Sequence, residues 1–320
     1  MLACIDTRPP IRALLLSERV PNRVLGHGLT GMESHMTEFL DLDGGRLAYD
    51  VEGVGPLLVL SHGIGDHRQV FRFLAPRLIE AGYRVATVDV RGHGESSLNW
   101  TSHDGGDAIT RTDVAGDLLA LIRQLGGPAV IIGHSISGGA ATIAAASEPG
   151  LVRGIIEINP FTRVQPLLSL GALVTVPRYR RGQPRLLAAV IFRSLRLWLS
   201  YLDVAYPTRP ADYDDYMRDL AAKLSEPGRF AEFLKTGKST PADAQAQLPH
   251  IACPALVIMG DQDPDFPDPR GEADAIVAAM PPGLGSVAMI AGHGHYPHAA
   301  AADQVAELAL KFLAGLEEKP

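Results

Sequence analysis

The chain has 320 residues, 46% of them hydrophobic and 20% charged, proportions that exclude a wholly disordered or fibrous protein. Its 29 basic and 36 acidic residues give a formal net charge of −7, which argues against nucleic acid as the main partner, because such binding relies on positive charge. The two cysteines, Cys4 and Cys253, cannot form a disulfide framework. We therefore expect reduced thiols and a cytoplasmic location.

Residues 1–35 contain no clear hydrophobic period, and charged residues such as Asp6, Arg8 and Arg12 interrupt the apolar core that a secretory signal needs. We expect this segment to be a poorly ordered extension. The uncharged stretch 164–177 is shorter than the ~18 apolar residues of a spanning helix, and prolines interrupt it. We expect no integral membrane segment.

From residue 36 onward, short apolar runs alternate with segments of helical periodicity, which indicates a succession of strands and helices. We predict eight strands, at 37–42, 46–52, 56–61, 83–90, 129–133, 152–158, 254–259 and 287–290. We predict helices at 70–81, 113–125 (with Thr112 as N-cap), 137–147, 271–280 and 302–316. This alternation predicts an α/β fold with a mostly parallel sheet, helices on both faces and an antiparallel hairpin at one edge.

The alternation is interrupted between residues 161 and 248, where the sequence looks helical. We therefore divide the folded chain into a core, 36–160 and 249–320, and a helical insertion, 161–248. The insertion is expected to cover the carboxyl ends of the strands, where ligands bind in such sheets. Its arginines favour a solvated basic face over a lipid-binding one. The apolar residues that could line a pocket are Leu186, Leu187, Val190, Ile191, Leu195, Trp198, Leu199 and Leu202.

A serine follows a buried strand and begins a helix in the segment Gly133-His134-Ser135-Ile136-Ser137. So sharp a turn needs small residues two positions before and after the serine, and here these are Gly133 and Ser137. The turn exposes the Ser135 hydroxyl beside a helix N-terminus, which favours nearby negative charge. The pattern indicates a nucleophile, although a plain strand–turn–helix corner also fits it.

Glycines in the segment His62-Gly63-Ile64-Gly65 allow the backbone to approach a ligand at the end of an earlier strand. The backbone N–H groups of Ile64 and Ile136 are our candidates for an oxyanion hole, because two fixed donors stabilise charge that develops only in the transition state. The turn 89–96 contains two glycines and is interpreted as scaffolding, with His93 packed and hydrogen bonded rather than catalytic.

Polar side chains also follow the last two strands, Asp263 after the first and His295 after the second. A serine hydroxyl is a poor nucleophile at neutral pH and needs a base, for which histidine is suited, and an acid that holds the tautomer of the base. The order serine, aspartate, histidine is that of an α/β hydrolase. Asp261 and Asp265 lie close enough in sequence to remain alternative acids.

From about Met36 to its C-terminus the chain resembles the α/β-hydrolase superfamily. The resemblance is carried by five motifs in the family's order: His62-Gly63, the turn 89–96, the elbow at 133–137, the G-x-x-D turn at 260–263 and the G-x-G-H segment at 292–295. It implies that Ser135 is the nucleophile, His295 the base and Asp263 the acid, and that 161–248 is a cap. It further implies an acyl-enzyme mechanism on a small hydrophobic ester, with no metal or organic cofactor.

Departures from the patterns of individual families restrict the set of reactions that the resemblance allows. Epoxide hydrolases and haloalkane dehalogenases have an aspartate where this chain has Ser135, so those two reactions are disfavoured. The run 62–67 is similar to the monoacylglycerol-lipase-like branch. The remaining alternatives on this fold are a carbon–carbon bond hydrolase, a perhydrolase or haloperoxidase, and a non-catalytic receptor.

Two rival sites are weaker. A zinc site could use His293, His295 and His298, or the cluster at 62–67. A dinucleotide site after Gly63 is disfavoured because Arg68 occupies the third glycine position.

Overall fold

The structure is a computed structural model that describes residues 37–166 and 168–317. The expected N-terminal extension, 1–35, and Cys4 lie outside these residues. Within the two described ranges, none of the helices combines the length and hydropathy that crossing a membrane requires. Cys253 is buried and forms no disulfide with a described residue.

An eight-stranded sheet forms the centre of the fold, in the order β1-β2-β4-β3-β5-β6-β7-β8. The hairpin β1–β2 and the pair β2–β4 are antiparallel, and the other pairs are parallel. The predicted α/β fold with a mostly parallel sheet is therefore confirmed. The strands are β1 Glu38–Leu42, β2 Gly45–Glu52, β3 Leu57–Ser61, β4 Arg84–Val88, β5 Ala129–His134, β6 Val152–Ile158, β7 Ala255–Gly260 and β8 Gly285–Ile290.

The central strands β3, β5 and β7 consist mainly of apolar residues because both faces of the sheet are covered. Every residue of β3, β5 and β7 is buried, and two hydrophobic clusters, one on each face, share their side chains alternately. The segments that carry the candidate site residues therefore leave the sheet from rigid strand ends.

The helices are α1 Leu74–Glu80, α2 Arg111–Gln124, α3 Ile136–Ser147, α4 Leu170–Thr175, α5 Pro177–Ile191, α6 Leu195–Ala205, α7 Tyr213–Leu224, α8 Arg229–Thr236, α9 Ala242–Gln247, α10 Pro269–Ala278, α11 Pro297–Ala300 and α12 Ala302–Glu317.

The N-cap of α2 is Thr110, so the prediction of Thr112 is wrong. The Thr110 hydroxyl accepts a hydrogen bond from the Asp113 backbone N–H at 3.0 Å, and the Asp113 carboxylate accepts one from the Thr110 N–H at 2.9 Å. This reciprocal capping box starts the helix earlier than the hydrophobic period indicates. Thr112 instead donates its hydroxyl proton to Asp243.

Six helices, α4 to α9, lie between β6 and β7. Trp198, Tyr201 and Leu202 of α6 are buried in the same hydrophobic cluster as Phe71 and Leu74 of the core. The insertion is thus packed onto the core by large apolar side chains.

Candidate active site

The turn from β5 into α3 is strained at Ser135. This residue has φ 56° and ψ −116°, a left-handed conformation that non-glycine residues rarely adopt and that is frequent at functional sites. A Cβ atom on Gly133 would lie 2.2 Å from the carbonyl oxygen of Ser137, and one on Gly63 would lie 2.9 Å from Ser135 Cβ. Only glycine fits at either position, so the predicted sharp turn and the close approach of the 62–65 backbone are both observed.

Two neutral histidines fix the backbone of the 62–65 segment. His62 donates from Nδ1 to the carbonyl of Gly63 at 2.6 Å and accepts the Val90 N–H on Nε2. His93 accepts the Gly65 N–H on Nε2 at 3.1 Å. Burial lowers the pKa of both imidazoles to about 3. His93 is therefore packed and hydrogen bonded, as the sequence indicated.

Ser137 joins the two turns. Its hydroxyl donates to the carbonyl of His62 at 2.6 Å and lies 2.8 Å from the Ser61 hydroxyl, all within buried surroundings. A glycine at this position would have no atom to make these bonds. The serine in place of the family's second glycine thus connects the turn at Ser135 to the segment that carries Ile64.

The substitution Ser137→Ala is expected to lower the free energy of unfolding by about 1–3 kcal/mol, because it leaves the buried His62 carbonyl without its donor. We also expect kcat to fall, since the 62–65 backbone loses an anchor, while KM changes less. Thermal denaturation and steady-state ester kinetics measure the two effects. Ser147→Ala, an exposed position on α3, is the matched control. A free energy of unfolding equal to that of the wild type would contradict this role of Ser137.

His295 and Asp263 are hydrogen bonded to each other. His295 Nδ1 lies 2.8 Å from Asp263 Oδ2, and both residues are buried. Asp261, an alternative acid, instead accepts the Gly292 N–H at 2.7 Å. Of the three aspartates after β7, Asp263 therefore has the contact that holds an imidazole in one tautomer.

Two further residues contact this pair: Asn159, which the sequence did not indicate, and Asp265, which it indicated as an alternative acid. Asn159, which follows β6 and has φ 44°, donates its amide to Asp263 Oδ2 at 2.5 Å. Asp265 lies 3.4 Å from His295 Nδ1 and accepts a hydrogen bond from the Tyr201 hydroxyl at 2.7 Å. A polar residue directly after a buried strand is a signal that could have found Asn159, whereas the contact of Asp265 with α6 depends on how the insertion packs.

The paired carboxylates alter the protonation of the site. Burial by itself lowers the pKa of His295, but the charges of Asp263 and then Asp265 outweigh it and raise the pKa above its usual value. Burial raises the pKa of Asp265 to about 7, and the charge of Asp263 adds to this rise. Two neighbouring acids thus increase the proton affinity of the His295 imidazole.

A cavity of about 180 Å³ adjoins these groups and is lined by both Ser135 and His295. Ile64 and Ile136 also line it, and neither backbone N–H donates a hydrogen bond to a described residue. Among the described residues no hydrogen bond joins Ser135 Oγ to His295, and catalytic hydrogen bonds of this kind often tighten only when substrate is bound. Four of the predicted residues, Ser135, His295, Ile64 and Ile136, thus line one cavity, and Asp263 contacts His295 behind it.

Metal-ligating geometry occurs in one group of the described residues. Asp263, Asp265 and His295 offer ligand atoms within 4.8 Å of one another. Of the histidines considered from the sequence as zinc ligands, only His295 belongs to this group. His298 is buried and neither of its ring nitrogens is hydrogen bonded to a described residue, and His293 is hydrogen bonded to the Ala291 carbonyl.

Comparison with known proteins gives a consistent result. The sequence profile of the "Alpha/beta hydrolase family" matches residues 58–308. The 2-(acetamidomethylene)succinate hydrolase of Mesorhizobium japonicum is 29% identical over 237 residues, 69% of this chain and 76% of the relative. The pimeloyl-[acyl-carrier protein] methyl ester esterase of Xanthomonas oryzae is 31% identical over 280 residues, 83% of this chain and 98% of the relative.

Solved structures share the fold. The enol-lactonase of Burkholderia xenovorans has a TM-score of 0.68 at 20% identity, covering 87% of this chain and all of the other. A thermophilic esterase of Thermogutta terrifontis has a TM-score of 0.62 at 22% identity, covering 85% of this chain and 94% of the other. At such identities the likeness concerns the fold alone.

Proposed function

Because the chain belongs to the alpha/beta hydrolase family, we propose that it is a serine hydrolase that cleaves carboxylic esters through an acyl-enzyme. The observation that carries the proposal is the shared cavity of Ser135 and His295, with the His295 Nδ1 to Asp263 bond of 2.8 Å behind it. Relatives named as an ester esterase and a hydrolase support the same reaction class.

In this proposal His295 Nε2 removes the proton of Ser135 Oγ as the oxygen attacks the ester carbonyl. The N–H groups of Ile64 and Ile136 stabilise the oxyanion, and Asp263 stabilises the imidazolium. His295 then protonates the leaving alcohol, and the same residue activates the water that releases the acid. No step requires a metal or an organic cofactor.

We further propose that the insertion 161–248 acts as the cap of this site. Leu186 and Val190 of α5 and Trp198 of α6 line the cavity together with the core residues. These apolar cap side chains exclude water from the reacting carbonyl and favour a small hydrophobic ester as substrate.

The cavity volume predicts a preference for short acyl chains. An apolar cavity of about 150 Å³ holds a benzene ring, so about 180 Å³ holds an acyl group of roughly six carbons. We expect kcat/KM to be at least about tenfold higher for p-nitrophenyl butyrate than for the laurate, since a longer chain must displace cap side chains. A pre-steady-state burst of p-nitrophenol would report the acyl-enzyme.

The same assay separates the alternatives. A kcat/KM that rises with chain length as far as the laurate would contradict the predicted preference for short acyl chains. No turnover of any ester would contradict the proposed function and favour carbon–carbon bond cleavage, perhydrolysis or a receptor role.

A further inference from the structure

Arg111 is a buried cation that lines the candidate active-site cavity and forms no ion pair with a described acidic residue. Its side chain lines the cavity that Ser135 and His295 share, and the residue is only 6% exposed. Its Nε donates to the Phe161 carbonyl at 2.7 Å and its Nη1 to the Ser239 hydroxyl at 3.3 Å. None of the ion pairs in the described ranges includes Arg111, and its Nη2 has no hydrogen bond there.

The contrast with Arg68 shows how unusual this is. Arg68 is 7% exposed and pairs with Asp50, Asp89 and Glu95 at 2.5 to 2.7 Å. Arg111 has similar burial and receives no such compensation. A buried charge without a partner is costly, and titratable groups perturbed by burial are concentrated at functional sites.

The guanidinium nevertheless remains charged. Burial lowers the pKa of Arg111 to about 10, with the charge of Asp243 opposing that fall, so the side chain is cationic at neutral pH. Asp243 itself accepts hydrogen bonds from the N–H and hydroxyl of Thr112, at 3.2 and 3.1 Å. Asp243 therefore acts on Arg111 through its charge alone and forms its hydrogen bonds with Thr112 instead.

A glycine of α3, Gly139, leaves space for the Arg111 side chain near Ser135. A Cβ on Gly139 would lie 2.7 Å from Arg111 Cδ and 2.9 Å from the Phe161 carbonyl oxygen. Gly139 comes four residues after Ser135, about 6 Å along the axis of α3. The aliphatic part of the Arg111 side chain thus passes α3 about one helical turn from Ser135, and both residues line the same cavity.

We propose that Arg111 binds a carboxylate of the substrate, so that the site takes short esters bearing a second, anionic group a few bonds from the scissile carbonyl. This inference rests on the proposed ester hydrolysis at Ser135. A carboxylate would supply the missing counter-charge and accept from the free Nη2, and a charge-assisted hydrogen bond of this kind is stronger than a neutral one.

The test compares esters that differ only in that group. The first pair is the mono-p-nitrophenyl ester of glutaric acid and p-nitrophenyl valerate, in which a methyl replaces the carboxylate. The second pair, 4-acetoxybenzoate and 4-methylphenyl acetate, carries the same change on the leaving group. For at least one pair, Arg111→Met should lower the anionic-to-neutral ratio of kcat/KM by about 10- to 100-fold, mainly through KM. The pair that responds tells which half of the substrate Arg111 binds.

Controls keep the outcomes separate. Arg123→Met changes an exposed arginine of the same helix, whose partner is Glu148, and should leave both ratios unchanged. Ratios unaltered in Arg111→Met for both pairs would overturn the anion site while leaving ester hydrolysis intact. Absence of turnover with every ester in the wild type would instead count against the proposed function.

A second measurement uses the unaltered enzyme, in case Arg111→Met fails to fold. Glutarate should inhibit hydrolysis of p-nitrophenyl valerate competitively, and glutaramide at the same concentration should inhibit at least about tenfold more weakly. Equal inhibition by both compounds would overturn the anion site.

Discussion

Replacement of Ser135 by alanine is expected to lower kcat for ester hydrolysis by about 10⁴- to 10⁶-fold. The alanine has no oxygen to attack the carbonyl, whereas the cavity and the N–H donors of Ile64 and Ile136 remain. Only the residual rate that binding and oxyanion stabilisation give over water should persist. Hydrolysis of p-nitrophenyl butyrate at saturating substrate measures the effect.

A covalent readout makes this prediction specific to the side chain. A fluorophosphonate should add one adduct to the wild type and none to Ser135→Ala, as intact-protein mass spectrometry would show. Ser147→Ala, at an exposed position of the same helix, should label and turn over like the wild type. An adduct on Ser135→Ala, or turnover above about 1% of the wild-type rate, would contradict the role of this serine.

Stability should change little in Ser135→Ala, because both residues carry a Cβ and meet the same strain at φ 56°. Ser135 Oγ also makes no hydrogen bond to a described residue that the substitution would remove. Loss of activity without loss of thermal stability therefore separates a catalytic group from a structural one.

The central strands could be predicted well because their runs are rich in apolar residues and are bounded by glycines and prolines. The predicted bounds of β6, 152–158, are those observed. The edge strand β8 begins at Gly285, two residues before its predicted start, because its first residues are half-buried and pair on one side only. Strand ends that depend on a single neighbour leave little hydrophobic signal.

The site could be predicted as far as each residue's place at a strand end. Topology brings Ser135 and His295 to one cavity, since the carboxyl ends of parallel strands meet at one edge of the sheet. The unpaired charge of Arg111 could not be predicted in the same way. It depends on which side chains the insertion presents to the cavity, and no local pattern specifies that packing.

The substitution Asp263→Asn is expected to lower kcat by about 10⁴-fold with little effect on KM. Both carboxylate oxygens of Asp263 accept hydrogen bonds: Oδ2 from Asn159 and His295, and Oδ1 from the Asp265 backbone N–H at 2.9 Å. Asparagine has a single acceptor oxygen, so its NH₂ group must face a donor on one side or the other. Either orientation disturbs the tautomer of His295 or the turn that holds Asp265.

Asp265→Asn should cost less activity and should move the acid limb of the kcat/KM profile to lower pH. The imidazolium of His295 would lose one of the two negative charges that raise its pKa, so the neutral base would persist at lower pH. Asp261→Asn removes a carboxylate bonded to Gly292 rather than to His295 and serves as the control, with kcat and the acid limb near those of the wild type. The division of roles rests on the 2.8 Å contact by which Asp263, and not Asp265, orients the base. A loss of kcat in Asp265→Asn equal to that in Asp263→Asn, or a shift of its acid limb to higher pH, would contradict this division.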